Sequence, residues 1–337
     1  MIRRLPIVAA ALAAAVALAA CGTKSEDTSG PAGTEKLSLL LDFFPNADHA
    51  GIYQAIADGE FKRAGLSVDV RTPSDPSSPL RLLQAGKVDL AISYEPELLL
   101  AREKGAKLVS IAALVQKPLT SIIALGSAKV RSPAQLEGHT VGTAGIPYQS
   151  AYLKTILDHA GADPGRVKEV NVGFGLVPAM LSKKVKATLG GFWNYEGIQL
   201  QRKHRKPTII RVDQAGVPTY DELVIVARED ELAQRGPLLR RFLQALSLSH
   251  QSLRRDPSQG IDALLKANHD LDPGLQRAAV RETLPVFFPE QKNQPWGWQD
   301  PAQWTAYARW MERNGLLKQP PDVPRAMTDD LLPGQAT

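Results

Sequence analysis

With 337 residues, 44% hydrophobic and 22% charged, the chain has an ordinary globular composition and length enough for two domains, which excludes a disordered or fibrous reading. Its formal charge of +5 falls to +3 without Arg3 and Arg4, and no RNA- or DNA-binding motif is present, so no nucleic-acid partner is expected. Cys21 is the only cysteine, which excludes an internal disulfide.

The N-terminus reads as a targeting signal. In MIRRLPIVAAALAAAVALAAC two arginines precede an apolar stretch over 5–20. That stretch is shorter than the roughly 20 residues of a spanning helix and is closed by small residues. Residues 1–20 are therefore expected to be a cleaved signal peptide. LAAC at 18–21 resembles a bacterial lipoprotein box, which implies lipidation of Cys21; the bland alternative is a plain signal peptide with an incidental cysteine. Several acyl chains on one residue anchor a protein firmly. Residues 21–35, rich in Gly, Ser and Thr after the cysteine, are expected to form a flexible tether. The working part is thus placed outside the cytoplasm, lipid-anchored to the cell membrane.

From Lys36 short apolar strands alternate with amphipathic helices. Strands over 36–42, 66–72, 88–94 and 108–115 enclose helices over 53–65, 78–87 and 95–105. A second block begins near Lys129, with strands over 140–145, 167–173, 186–193 and 207–213 and helices over 148–160 and 176–184. A strand over 222–229 then leads into a mostly helical stretch, 230–317. This alternation argues for parallel sheets covered by helices. One pattern recurs: LLQAGKVDLAISY (82–94) and AMLSKKVKATLGG (179–191) both run from an apolar helix end through Lys-Val into an apolar strand. The first strand runs into Tyr94 and Glu95, the second into Phe192, Trp193 and Glu196. Groups just past the carboxyl ends of strands are where open α/β sheets bind ligands.

Catalytic motifs are missing. No G-x-S-x-G elbow, Walker loop or His-Glu-x-x-His occurs, and the six histidines show no metal-ligand spacing. GTAGIP (142–147) is a strand-to-helix turn of a common kind, whose free amides could hold an anion. In LDFFPNADHAGIY (41–53), between a strand and a helix, Asp42, Asn46 or His49 could bond a ligand, and Phe43 or Phe44 could stack on it. GGFWNYEG (190–197) crowds Phe192, Trp193, Asn194, Tyr195 and Glu196 after a glycine pair. Either it is a core corner, or it is a wall that stacks a flat ligand and hydrogen-bonds its edge.

LDFFPNADHAGIY, TPSDPSSPLRLLQAGKVDLAISYEPELLLAR, ALVQKPLTSIIAL, GGFWNYEG and GVPTYDELV together resemble the bacterial substrate-binding lipoproteins for thiamine pyrimidine precursors, a group related to the fungal pyrimidine synthases of thiamine biosynthesis. The likeness covers about 37–317. It implies an α/β, two-lobed type II periplasmic-binding-protein fold, each lobe a mainly parallel sheet flanked by helices, with the ligand in the cleft between lobes. Lobe 1 is expected over 36–125 and 222–330, lobe 2 over 126–221, with crossings near 117–130 and 214–224. The implied protein is no enzyme but a monomeric receptor without cofactor or metal. It would deliver an aminopyrimidine such as a formylaminopyrimidine to an ABC permease and its ATPase subunit. Other readings are a riboflavin-like ligand, an extracytoplasmic pyrimidine-acting enzyme, or a sensor.

Under this resemblance Glu196 grips the edge of the ring, a charge-assisted contact worth roughly 1.5–3 kcal/mol. Trp193, Tyr94 or Phe43 would stack on its faces, while Tyr148 and Tyr220 close the other side. Asp42, Asn46, His49, Glu95 and Asn194 complete the expected set. Tyr195 is expected to face away, and Gly190-Gly191 to admit the ligand. Two departures stand out. Phe43 occupies a position where the group commonly has Trp, and GVPTYDELV (216–224) stands where the synthases carry a cysteine-rich stretch. Without those cysteines the synthases' iron-dependent chemistry is not expected, and His49 would be a binding residue at most.

Overall fold

The alternating elements assemble into two five-stranded sheets in a computed structural model that describes residues 33–319 and 322–334. The expected signal segment, Cys21 and most of the tether lie outside the described residues. Among the described residues no helix is long and apolar enough to cross a membrane.

The strands are β1 (Glu35–Leu40), β2 (Leu66–Arg71), β3 (Leu90–Ser93), β4 (Leu108–Val115), β5 (Thr120–Ala124), β6 (Thr140–Thr143), β7 (Lys168–Asn171), β8 (Ala187–Phe192), β9 (Thr208–Arg211) and β10 (Leu223–Arg228). The first sheet has the order β2-β1-β3-β10-β4, the second β7-β6-β8-β5-β9. In each, the first three strands are parallel neighbours and the fourth position runs antiparallel to both its partners. That antiparallel strand is imported: β10 follows the second sheet in sequence and β5 follows the first. The expected two-lobed α/β architecture is therefore present, and β3 and β8, the strands of the recurring sequence pattern, hold equivalent places.

Burial explains which runs became which strands. β4 and β5 are buried throughout and β10 nearly so, as mostly apolar runs covered on both faces. β2 and β7 are edges, and their charged residues Asp69, Arg71, Lys168 and Glu169 discourage pairing with another chain. β5 was not among the expected strands. It pairs with β8 and β9, so the chain passes from the first sheet to the second between Val115 and Thr120, and Thr120–Ala124, expected in lobe 1, stands in the second sheet. The expected helix over 53–65 is two helices, Ala50–Ala57 and Glu60–Arg63, because Gly59 at φ 73 breaks the run.

Asp-Pro steps start three C-terminal helices, Pro257–Ala267, Pro273–Thr283 and Pro301–Arg313, where Asp256, Asp272 and Asp300 accept from backbone amides of the first turn. The long helix Glu229–Arg255 is kinked at Arg235, two residues before Pro237. Glu222 fastens the two crossings together. Its Oε2 accepts from the amides of Leu119 (2.6 Å) and Thr120 (2.8 Å) and from the Tyr220 hydroxyl (3.0 Å), and Oε1 accepts from the Thr120 hydroxyl (2.8 Å).

Candidate functional site

A cavity of about 380 Å³, counting its mouth, opens between the two sheets. Its first wall comes from the segment after β1, with Asp42, Phe43 and Asn46, and from Tyr94 after β3. The facing wall comes from Ile146, Tyr148 and Gln149 after β6, and from Gly190, Phe192, Tyr195 and Glu196 at the end of β8. β1 and β3 occupy the same places in their sheet as β6 and β8 in theirs. The cavity thus lies at the carboxyl ends of equivalent strands, the position that sheet topology favours for ligands.

The first wall is a hydrogen-bonded frame. The Asn46 side chain accepts from the Asp48 amide at 2.8 Å and fixes the turn Ala47–His49. The Asn46 amide in turn donates to His49 Nδ1 at 3.2 Å. A ring nitrogen that accepts a backbone N–H carries no proton, so the proton of His49 is on Nε2, which donates to Asp42 Oδ1 at 2.9 Å. Tyr94 donates to the other oxygen of Asp42 at 2.9 Å. Burial first, and then the Asp42 charge, push the Tyr94 hydroxyl well above its ordinary pKa, so this donor keeps its proton. Phe43 packs edge-on against Phe174 from the other lobe, with ring centroids 4.5 Å apart.

The second wall is built around a glycine. Gly190 has φ 107, and a Cβ there would overlap the amide nitrogen of Gln149. The glycine therefore makes room for a side chain of the wall, where the sequence suggested room for the ligand. Glu196 is 7% exposed and accepts the Phe192 amide on Oε2 at 2.8 Å. Burial pushes its carboxyl up to about 7, and the charges of Asp48 and Asp42 add to the effect. Tyr195 donates its ring to the cavity wall while its hydroxyl accepts from Gln276 at 3.0 Å.

A family model described as NMT1/THI5 like matches residues 46–260. The chain belongs to the NMT1/THI5-like family. It is 33% identical over 311 residues to a formylaminopyrimidine-binding protein of Halalkalibacterium halodurans, covering 92% of this chain and 94% of that one. It is 24% identical over 305 residues to a 4-amino-5-hydroxymethyl-2-methylpyrimidine phosphate synthase of Legionella pneumophila, covering 88% and 92%. Among solved structures, the alkanesulfonate-binding protein SsuA of Xanthomonas axonopodis pv. citri superposes with a TM-score of 0.67 at 17% identity, over 87% of this chain and 98% of that one. The fold is thus that of the periplasmic binding proteins.

In this family member the expected site residues divide into three groups. Asp42, Phe43, Asn46, Tyr94, Tyr148 and Glu196 line the cavity. His49 stands behind Asp42, fully buried. Trp193, Asn194, Glu95 and Tyr220 lie elsewhere. The turn Phe192–Tyr195, closed by the Tyr195 amide on the Phe192 carbonyl at 3.2 Å, reverses the expected facing of two aromatic rings. It turns Tyr195 inward and sends Trp193 to the first crossing, where its indole donates to Pro118 O at 3.0 Å under the Arg211 guanidinium. Asn194 donates to Asp48 Oδ1 and Thr283 Oγ1, both at 2.7 Å. Glu95 accepts the Asp221 amide at 2.7 Å beside the second crossing, and Tyr220 is spent on Glu222. Gln149 is the wall residue that sequence reading did not name, and Tyr195, expected to face away, lines the cavity. The equivalence of β6 with β1 points to the turn carrying Gln149, since the β1 turn was already singled out.

Proposed function

We propose that the chain is an extracytoplasmic receptor that binds a flat aminopyrimidine in this cavity and delivers it to an ABC permease, held at the membrane through lipidated Cys21. The observation that carries the reading is Glu196, a buried carboxyl on the wall of an aromatic cavity, which burial pushes up to about 7. A 4-aminopyrimidine presents a ring nitrogen and an exocyclic amine side by side. Oε2, which already accepts the Phe192 amide, can accept one amine N–H, while Oε1 shares its proton with the ring nitrogen. Tyr94, Tyr148 and Phe43 supply ring faces worth roughly 0.5–1.5 kcal/mol per good stack. The formylaminopyrimidine-binding relative supports the same ligand class.

The synthase relative raises an enzymatic reading, and His49 speaks against it. Both ring nitrogens are engaged, Nδ1 by a backbone amide and Nε2 by Asp42, so neither is free to act on a substrate. The segment 216–224 likewise forms the second crossing and carries no cysteine. Calorimetry with a formylaminopyrimidine tests the proposal. The wild-type chain binds it without turnover, and Glu196→Gln binds about tenfold or more weakly. Equal affinity in the two proteins would overturn the role of Glu196. Mass spectrometry of the protein extracted from membranes checks for acyl chains on Cys21.

A further inference from the structure

Gln149 begins the helix Gln149–His159. It is 1% exposed, lines the cavity, and its Oε1 has no hydrogen-bond partner among the described residues. The buried amide oxygens of Gln54, Asn194 and Gln276 are likewise unbonded among the described residues, but none of those residues lines this cavity; on a cavity wall such an atom points to a donor that arrives from outside the fold. Its placement is built in, because Gly190 leaves its side chain the space that any other residue would fill. An exocyclic amine carries two N–H groups. One lies beside the ring nitrogen, on the edge assigned to Glu196; the other points away from it.

We propose that Gln149 Oε1 accepts this second N–H and so selects amino- over oxo-pyrimidines. An oxo group in the same place would set oxygen against oxygen and leave Oε1 still unbonded. Sites built to bond a particular N–H reject analogues that lack it far more strongly than apolar pockets reject a change in size. The inference rests on the aminopyrimidine reading of the cavity, and its test separates the two.

The full chain is titrated calorimetrically with 4-amino-5-hydroxymethyl-2-methylpyrimidine and with its 4-oxo counterpart. Wild type is expected to prefer the amino compound by about a hundredfold. Gln149→Leu, close in size but without the acceptor, should bind the amino compound about tenfold more weakly and the oxo compound no worse, so the ratio narrows to about tenfold or less. Gln149→Glu retains an acceptor and should keep the preference. This conservative variant also controls for disturbed packing, and melting curves confirm that both variants are folded. A ratio unchanged in Gln149→Leu, with binding still weakened in Glu196→Gln, overturns the role of Gln149 alone. A wild-type chain that binds neither compound overturns this inference and the receptor reading together.

Discussion

The amide nitrogen of Asn194 lies 2.7 Å from Asp48 Oδ1, joining the turn at the end of β8 in one sheet to the turn after β1 in the other. Thr283, at the end of the helix Pro273–Thr283, donates to the same oxygen at 3.0 Å. Three elements therefore meet at one buried carboxyl beside the cavity. Burial raises that carboxyl to about 6, and the bonds from Thr283 and Asn194 hold it from rising further. Asn194→Ala removes the donor that spans the lobes and costs about 1–3 kcal/mol of the interaction between them. Small-angle scattering of the ligand-free variant should show a larger radius of gyration than wild type, and calorimetry a weaker aminopyrimidine affinity by about fivefold or more. An unchanged radius together with unchanged affinity would show that the bond does not set the closure.

Tyr195 and Trp193 should respond oppositely to loss of their rings. Tyr195→Leu removes part of the cavity wall and is expected to weaken ligand binding by about tenfold, with a modest change in melting temperature. Trp193→Leu loses the bond to Pro118 and the stacked Arg211, so stability should fall by about 1–3 kcal/mol while affinity stays within about threefold. Paired melting and calorimetry curves for the two variants check both statements. The reverse pattern would place Trp193 in the site, as the sequence first suggested.

How far sequence reading reached follows from what each feature depends on. The parallel strands were legible because apolar runs alternate with amphipathic helices, a local pattern. β5 was not, since KPLTSIIAL (117–125) offers a short apolar run after a proline and becomes a strand only by pairing with β8 and β9, both far away in sequence. The wall residues after β1 and at the end of β8 were legible because topology places strand ends at a cleft. Which ring of the pair Trp193 and Tyr195 faces inward depends on one turn, and alternation along a strand does not extend into a turn. Glu95 and Tyr220 follow a strand end and precede a strand, yet the chain uses them to pack the second crossing. Gln149 belongs to no sequence motif; its place after β6, its burial and its unbonded oxygen single it out.

Affinity should depend on pH through Glu196. The contact needs one proton between the carboxyl and the ring nitrogen, and Glu196 supplies it while protonated. With its carboxyl at about 7, affinity for a neutral aminopyrimidine is expected to fall as pH rises from 6 to 8.5, by up to about tenfold per unit above 7. Glu196→Gln has no such proton and should give a flat profile over the same interval. Titrations at constant ionic strength in buffers of differing ionisation enthalpy measure both the affinity and the proton uptake. A flat wild-type profile would separate Glu196 from the ring nitrogen.

Stability should carry the same sign for a different reason. Glu97 and Glu222 are pushed up to about 7 from the ordinary 4.5, mainly by burial; Glu95 is raised by burial and the charge of Asp221, and Asp221 by burial and the charge of Asp329. Below about 4.5 the folded and unfolded chains both hold these protons, and the contribution to stability is complete. Between that value and 7 the unfolded chain releases them and the folded chain does not, so the contribution is lost as pH rises through the folded value. The melting temperature of the ligand-free chain is therefore expected to fall between pH 5.5 and 8, against the usual trend for ion-paired carboxylates. Glu222→Gln should flatten part of that slope while keeping an acceptor for the crossing amides. Glu222→Ala abandons four donors at once and should cost about 3 kcal/mol or more at any pH in the interval. A melting temperature that rises with pH in wild type would mean that these carboxyls are ionised and paired in the fold, and that Glu222 holds the two crossings as a charge.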